Sequence, residues 1–177
     1  LTELQVEDVK LQALPSSLSA CTNLTSLTVM NCCISIFPSV IVKLRHLIAL
    51  NLVGNLIRIV PSSIRALQSL ETINLSSNVI STVPHAMTAL QSLQEIIFSD
   101  NKLKLCDVKF EKMQSLRYLD LSHNNMKRIP KFVWGCKELN ILHLNNNSIE
   151  GLPLELGELQ ELRYLNLEAN NIFFLPP

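Results

Sequence analysis

The chain has 177 residues, of which 47% are hydrophobic and 17% are charged, so it can bury one sizeable core and is not a disordered chain. Its 15 basic residues balance its 15 acidic residues, and the zero net charge argues against nucleic acid or an anionic membrane surface as a partner. No apolar run approaches the ~20 residues of a membrane span. The opening LTELQVEDVK lacks the basic and apolar segments of a signal peptide, so none is expected here.

A 23-residue repeat runs through the whole sequence and is the strongest signal in it. Leucines start each unit, and the consensus reads LxxLxLxxNxIxxLPxxIxxLxx. Prolines recur at steps of 23 or 46 residues: Pro15, Pro38, Pro61, Pro84, Pro130, Pro153 and Pro176. One predicted domain, 1–177, therefore contains seven full units, 1–23, 24–46, 47–69, 70–92, 93–115, 116–138 and 139–161, and a truncated eighth, 162–177.

Each unit predicts one strand followed by one short helical segment. Positions 1–7 alternate apolar and polar residues, as in a half-buried strand, so that Tyr118, Asp120 and Ser122 of the sixth unit point outward. Positions 14, 18 and 21 are apolar at helical spacing, and the neighbouring proline suits the first position of a helix. The fifth unit has Cys106–Asp107 in place of leucine and proline, so its outer segment is expected to be irregular.

Stacking is required because one unit cannot bury its apolar face alone, whereas neighbouring units share a continuous core. Strands lie ~4.8 Å apart and helices pack at ~8–10 Å, so the stack must curve with its strands on the inner side. We predict an α/β solenoid with a parallel β-sheet on the concave face and short helical or 3-10 segments on the convex face. The chain begins on a core leucine and stops at FFLPP, so we expect a fragment whose ends are capped by flanking segments of its own chain.

The repeat resembles the leucine-rich repeat family over the whole chain. The 23-residue unit ending in LPxxIxxL is similar to the intracellular subclass, which includes Ras-pathway scaffold proteins, Scribble, Erbin and the plant intracellular Ras-group proteins. It lacks the GxIP pattern of plant receptor kinases, to which EGLP at 150–153 is the nearest approach. The resemblance implies that the partner is another protein, such as a small GTPase or a phosphatase.

Asparagine occupies the ninth position of six units, and the resemblance implies that these side chains form a structural ladder. Where the chain leaves the strand its backbone groups lose their partners, and an inward amide can bond the turns above and below. Val9 and Cys32 replace asparagine in the first two units, where the ladder is expected to weaken. The ladder residues are Asn55, Asn78, Asn101, Asn124, Asn147 and Asn170.

Two groups of polar residues resemble chemical sites, and neither is expected to act as one. His123 and His143 lie at different unit positions, roughly 10 Å apart along neighbouring strands, which is too far for the ~2 Å bonds of one metal ion. Ser122, His143 and Asp120 are the residue types of a catalytic triad, but the serine lies diagonal to the histidine at ~8 Å on an open face. We therefore predict no metal site, no cofactor, no catalytic residue and no enzymatic activity.

The five cysteines favour a reducing compartment. Cys21, Cys106 and Cys136 replace apolar core residues and Cys32 replaces a ladder asparagine, so only Cys33 lies outside the core pattern. Their spacing is not that of a metal site. The cysteine-rich end caps of extracellular members of the family do not occur in the sequence, and a cytoplasmic location is the prediction, with an extracellular one as the alternative.

Side chains at positions 3, 5 and 7 form the predicted binding surface. The early units carry small or neutral residues there, whereas the last three carry two tyrosines, an isoleucine, and a histidine beside an aspartate, with an arginine at the start of two strands. Tyrosine and arginine are enriched at the centres of protein interfaces. The predicted protein-binding residues are Arg117, Tyr118, Asp120, Ile141, His143, Arg163 and Tyr164.

These patterns predict a protein–protein interaction module, a scaffold or adaptor in intracellular signalling that holds a protein on its concave face. An extended surface that is ordered before binding loses little entropy when a partner docks. Two alternatives remain open. One is a non-catalytic sensor or substrate-recruiting domain of a larger kinase, phosphatase or ubiquitin ligase, and the other is a segment of an extracellular receptor.

Overall fold

The structure is a computed structural model, and it describes residues 1–104 and 113–174. Within these residues eight parallel strands form one sheet, in which each strand pairs with its neighbours along the chain. The strands are β1 (Glu3–Glu7), β2 (Ser26–Met30), β3 (Ala49–Asn51), β4 (Thr72–Asn74), β5 (Glu95–Ile97), β6 (Tyr118–Asp120), β7 (Ile141–His143) and β8 (Tyr164–Asn166). The predicted irregularity at Cys106–Asp107 lies outside the described residues.

Neighbouring strands are in register after a shift of one 23-residue unit. Glu3 pairs with Ser26 at one end of the sheet, and Ile141 pairs with Tyr164 at the other. The predicted parallel solenoid is thereby confirmed, with the sheet on its concave face. From β3 onward the strands have only three residues, at unit positions 3–5, and are shorter than the predicted alternation over positions 1–7.

The chain turns away from the sheet at the eighth position of every unit, where the backbone is left-handed. Non-glycine residues adopt this conformation at a cost, which is smallest for residues such as asparagine and aspartate. His123, which the sequence suggested as a possible metal ligand, occupies one of these turns. The turn residues have φ between 51° and 70°, and they are Asp8, Asn31, Gly54, Ser77, Asp100, His123, Asn146 and Ala169.

The outer segments of the described units are 3-10 helices. They span Ser16–Ala20, Ile41–Lys43, Ser62–Ala66, His85–Ala89, Lys131–Gly135 and Leu154–Glu158. In five of these six helices the proline does not take the first helical position that the sequence suggested, because it caps the helix in an extended conformation, as at Pro61 with φ −73° and ψ 154°. In the second unit Val40 is the cap instead. The Pro61 carbonyl accepts the first hydrogen bond of its helix, from the Ile64 amide at 3.0 Å. A tight 3-10 turn suits a connection this short.

The core runs through the inside of the stack, between the sheet and the outer helices. In the sixth unit the predicted core positions 14, 18 and 21 hold Ile129, Val133 and Cys136, all of which are buried. Phe98 is among the largest fully buried side chains. Burial decreases toward both ends, where the core residues of the first and last units are only partly covered, apart from Leu18. Each inner unit is therefore stabilised by both of its neighbours.

The asparagines at the ninth position make directional hydrogen bonds. The Asn101 amide nitrogen donates to the carbonyls of Phe98 in its own unit and Leu75 in the preceding unit, at 3.1 and 2.9 Å. Its Oδ1 accepts from the Ile80 amide, also in the preceding unit, at 2.9 Å. The sequence predicted bonds to the turns on both sides. The Asn101 side chain makes none to the following unit, because its oxygen points to Ile80, the eleventh residue of the preceding unit.

Cys32 stands where a ladder asparagine would lie, and its thiol makes weaker contacts. Its Sγ lies 3.1 Å from the Met30 carbonyl and 3.6 Å from the Val6 carbonyl of the first unit. A thiol is a weak donor and a weak acceptor. It therefore does not replace the oxygen with which an asparagine at this position would accept a hydrogen bond from the Leu11 amide. The Leu11 amide donates instead to the carbonyls of Val9 and Cys32, so the first turn differs from those that follow.

Thiol reactivity should follow burial, and native-state alkylation at pH 8 checks it. Burial raises the pKa of the Cys136 thiol to about 12, and the exposed Cys33 thiol lies in a left-handed turn. At pH 8 the Cys136 thiol is therefore protonated, whereas the thiolate is the reactive form. We expect iodoacetamide to label Cys33 within minutes and Cys136 only after unfolding in urea, as read by peptide mass spectrometry. Equal labelling rates in the folded protein would contradict this.

Candidate binding surface on the concave sheet

Three large side chains form a row across the last three strands. Tyr118 on β6 pairs with Ile141 on β7, and Ile141 pairs with Tyr164 on β8. All three occupy unit position 3, so equal unit lengths bring them side by side on the open face of the sheet. Tyr118 and Ile141 are partly buried by their neighbours, whereas Tyr164 is 48% exposed. The row is therefore a continuous apolar surface that solvent can reach.

His143 lies between the two tyrosines. The centroid of its ring is 5.5 Å from that of Tyr118 and 5.2 Å from that of Tyr164, with the rings tilted by 47° and 48°. These separations are within the range of stabilising aromatic pairs, roughly 4.5–7 Å. The three rings therefore pack against one another as one contiguous group on the concave face.

Burial raises the pKa of the Tyr118 phenol, and the negative charges of Asp120 and Glu95 and the nearby Tyr164 raise it further. Since the pKa is raised from 10.0, the phenol keeps its proton throughout the physiological pH range. Tyr118 is thus a neutral side chain with a hydroxyl that can donate to an acceptor on a partner.

The Asp120 carboxylate makes a hydrogen bond within its own unit. Its Oδ1 accepts a hydrogen bond from the Ser122 amide at 2.8 Å, which ties the carboxylate to its own turn. Ser122 is only 5% exposed, so the predicted exposure of its side chain to solvent is wrong. A serine side chain is too short to rise above its neighbours on the crowded inner side of a curved sheet.

Two arginines flank the row at unit position 2. Arg117 and Arg163 are exposed, and their backbone amides donate to the carbonyls of Gln94 and Asn140 at 2.9 and 2.8 Å. Neither guanidinium makes an ion pair within residues 1–104 and 113–174. The backbone of both arginines is therefore held in the sheet, and their cationic side chains are accessible to the carboxylates of a partner.

A depression lined by polar and apolar side chains continues the concave surface toward the first units. It has a volume of about 260 Å³ and is lined in part by Asn51, Thr72, Asn74 and Glu95. The Asn74 side chain is occupied by its own turn, where Oδ1 accepts from the Ser76 amide at 3.0 Å. Sequence reasoning did not single out this region, although the paired asparagines at position 5 of two successive units were a usable signal.

Other chemical sites are not assembled by the described part of the chain. There, no group of three or more His, Cys, Asp or Glu side chains could hold a metal ion. The His123 Nε2 lies 3.3 Å from the Asn146 side-chain nitrogen, in the exposed turns of neighbouring units. Of the helices within residues 1–104 and 113–174, none has the length and apolar character that crossing a membrane requires.

A family model described as leucine rich repeat matches residues 58–103 and 103–149, which together make up just over half of the chain. No curated protein matches the chain. Among solved structures, the TLR13–ssRNA13 complex is 28% identical over 88% of this chain, with a TM-score of 0.78. The plant peptide hormone receptor RGFR1 in complex with RGF2 is 24% identical over 96% of the chain, with a TM-score of 0.76.

A third similar structure is the Leptospira interrogans protein LIC12759, which is 26% identical over 99% of this chain, with a TM-score of 0.57. The chain spans 57% of that protein, 28% of RGFR1 and 24% of TLR13. The likeness to RGFR1, at 24% identity, concerns the fold alone.

Proposed function

The chain belongs to the leucine-rich repeat family, and from this premise we propose that it is a protein-binding module that acts as a scaffold or adaptor in intracellular signalling. The observation that carries the proposal is the solvent-accessible row of Tyr118, Ile141 and Tyr164 with His143 between the rings. Aromatic side chains on the open face of a sheet pack no core, and large exposed apolar groups of this kind mark interaction sites. The module itself carries no catalytic residue in this proposal.

The partner presents an apolar side chain to the tyrosine row and carboxylates to Arg117 and Arg163. Tyrosine rings give a large contact area for little loss of conformational entropy. Three strands span only about 10 Å across the sheet, whereas a stable interface buries about 800 Å² on each partner. The partner therefore also contacts the depression around Asn51 and Asn74, and a folded protein fits this length of surface better than a short peptide.

The regular 23-residue unit with its LPxxIxxL ending supports an intracellular, cytoplasmic role, and the resemblance to Ras-pathway scaffolds makes a small GTPase or a phosphatase the first partner to test. A second candidate is a ligand-binding segment of an extracellular receptor. It is favoured by the 28% identity to TLR13, which was solved with ssRNA13. The zero net charge of this chain disfavours RNA as the ligand in that case.

Site-specific cross-linking tests which face holds the partner. A photoreactive benzophenone amino acid is placed at Asn166 on β8, next to the tyrosine row, and in a matched variant at the exposed Gln160 on the outer side. After irradiation in cells, we expect a protein adduct from Asn166 and none of the same mass from Gln160. An adduct formed only at Gln160 would place the partner on the outer side and refute the concave interface.

The compartment is tested by the redox state of the cysteines. In the described residues Cys21, Cys32, Cys33 and Cys136 are free thiols. Protein isolated from its native source without reductant and blocked by alkylation is expected to carry five free thiols, Cys106 included, as counted by intact-mass spectrometry. A disulfide in that protein, or a glycan on a sequon such as Asn23-Leu-Thr, would favour the receptor candidate.

A further inference from the structure

A groove crosses the outer side of the sixth, seventh and eighth units, away from the concave sheet. It has a volume of about 360 Å³. Its floor is apolar and consists of Ile129 and Leu152, which are buried, and Pro153. A cavity of this size lies within the range of ligand pockets, roughly 300–1,000 Å³. It can accept one large side chain together with part of a peptide backbone.

Aromatic rings from the sixth and eighth units line the groove. Trp134 of the sixth unit is half-buried, and Phe173 and Phe174 of the eighth unit pack edge to face with centroids 5.4 Å apart. Phe174 pairs with Gly151 as an isolated parallel bridge. A Cβ at Gly151 would lie 2.4 Å from the Phe174 ring, so the glycine is what allows the ring to lie against the backbone. The position of the Phe174 ring in the groove therefore depends on the absence of a side chain at Gly151.

One wall of the groove is basic. Lys127, Arg128 and Lys131 are exposed along it, and within the described residues only Lys127 of these three has a carboxylate partner, Glu150 at 3.7 Å. Both side chains of that pair are largely exposed, and such pairs contribute little to stability. Arg128 and Lys131 make no ion pair within the described ranges, 1–104 and 113–174. Two cations thus stand at the mouth of an apolar groove without a neutralising partner.

From this combination we infer that the groove binds an acidic peptide segment that carries one large apolar side chain. The apolar side chain fills the space between Trp134 and Phe174, and carboxylates of the peptide pair with Arg128 and Lys131. Glu150 and Glu155 line the same groove, so negative charge is favoured only beside Arg128 and Lys131. A peptide can place two carboxylates there, whereas a nucleic acid carries a phosphate at every nucleotide and would bring some of them against the glutamates. The site is independent of the concave surface, so both can be occupied at once.

Peptide selection tests the chemistry of the ligand. The probe is a phage-displayed library of random 12-residue peptides, selected on the intact chain in the presence of excess soluble Arg128→Glu/Lys131→Glu variant. The variant removes peptides that bind elsewhere, including on the concave sheet. We expect the surviving peptides to contain Trp, Phe or Leu within three residues of at least two acidic residues. No enrichment, or enrichment of peptides without acidic residues, overturns the inference.

Affinity measurements then locate the site. Selected peptides are synthesised with a fluorescein label, and Kd is measured by fluorescence anisotropy at 50 and 300 mM salt. We expect Kd to rise at least 30-fold in Arg128→Glu/Lys131→Glu, at least fivefold in Gly151→Ala, where the Phe174 ring must move, and about tenfold at the higher salt. The matched control is Arg45→Glu/Arg65→Glu, an equal charge reversal on the outer side of the second and third units.

The control is expected to change Kd by less than twofold, since Arg45 and Arg65 lie outside the groove. Circular dichroism shows whether each variant is folded. Equal Kd values for the wild-type chain and Arg128→Glu/Lys131→Glu would overturn the inference. So would tight binding of a labelled 12-nucleotide single-stranded RNA that competes with the peptides, because the groove would then be a nucleic-acid site.

Discussion

Replacing Asn101 by alanine is expected to lower the free energy of unfolding by about 3 kcal/mol, the upper part of the range for leaving buried backbone groups without partners. The change deprives the Ile80 amide of its acceptor and the carbonyls of Leu75 and Phe98 of a donor. These groups lie in the interior of the stack, where water cannot readily replace the lost bonds. Urea unfolding monitored by circular dichroism measures the effect.

A matched control separates the ladder role from the loss of any asparagine. Asn125 is exposed, and Asn125→Ala is expected to change stability by less than about 0.5 kcal/mol. Lys104→Ala, at another exposed position, is expected to behave in the same way. If Asn101→Ala and Asn125→Ala had the same urea midpoint and the same slope, the hydrogen bonds of Asn101 would not stabilise the fold.

The double change Tyr118→Ala/Tyr164→Ala is expected to weaken binding of the concave partner by at least 2 kcal/mol, which is about 30-fold in Kd. It removes both rings that pack against His143 and leaves the histidine and Ile141 without lateral support. The affinity is measured by calorimetry with the partner identified through cross-linking at Asn166. Unchanged circular dichroism shows that the sheet is intact.

The conservative double change Tyr118→Phe/Tyr164→Phe keeps the rings and removes only the hydroxyls, so it is expected to retain most of the affinity. Lys127→Glu/Lys131→Glu, on the outer groove, should leave this interaction unaffected. If the alanine variant binds normally while the glutamate variant loses the partner, the interface lies on the basic side of the solenoid, and the tyrosine row has another role.

The repeat period alone determined the register of the sheet. Because the units have equal length, residues 23 apart must lie side by side, and the sequence therefore suffices to align Tyr118, Ile141 and Tyr164 in one row. Core positions follow from the same pattern, since apolar residues at fixed places in every unit have only the interior of the stack to occupy. The sequence also predicts short helical or 3-10 outer segments, and the structure has 3-10 helices there.

The eighth position of the units carries a further signal in the sequence. It reads aspartate, asparagine, glycine, serine, aspartate, histidine, asparagine and alanine. Several of these residues favour the left-handed conformation that the structure has at every one of these positions. Considered as one column, these residues place His123 in a turn, which is a second reason against a metal site beside its distance from His143.

Contacts between side chains of different units were decided only by the tertiary structure. Ser122 is buried because the inner side of the sheet is crowded, and the strand pattern carries no information on that crowding. The asparagine bonds run toward the preceding unit because of where the turn places Oδ1. The outer groove depends on the Phe174 ring lying against Gly151, a fit between residues 23 apart. A repeat specifies which positions meet, whereas the shapes and rotations of the side chains specify what surface they make.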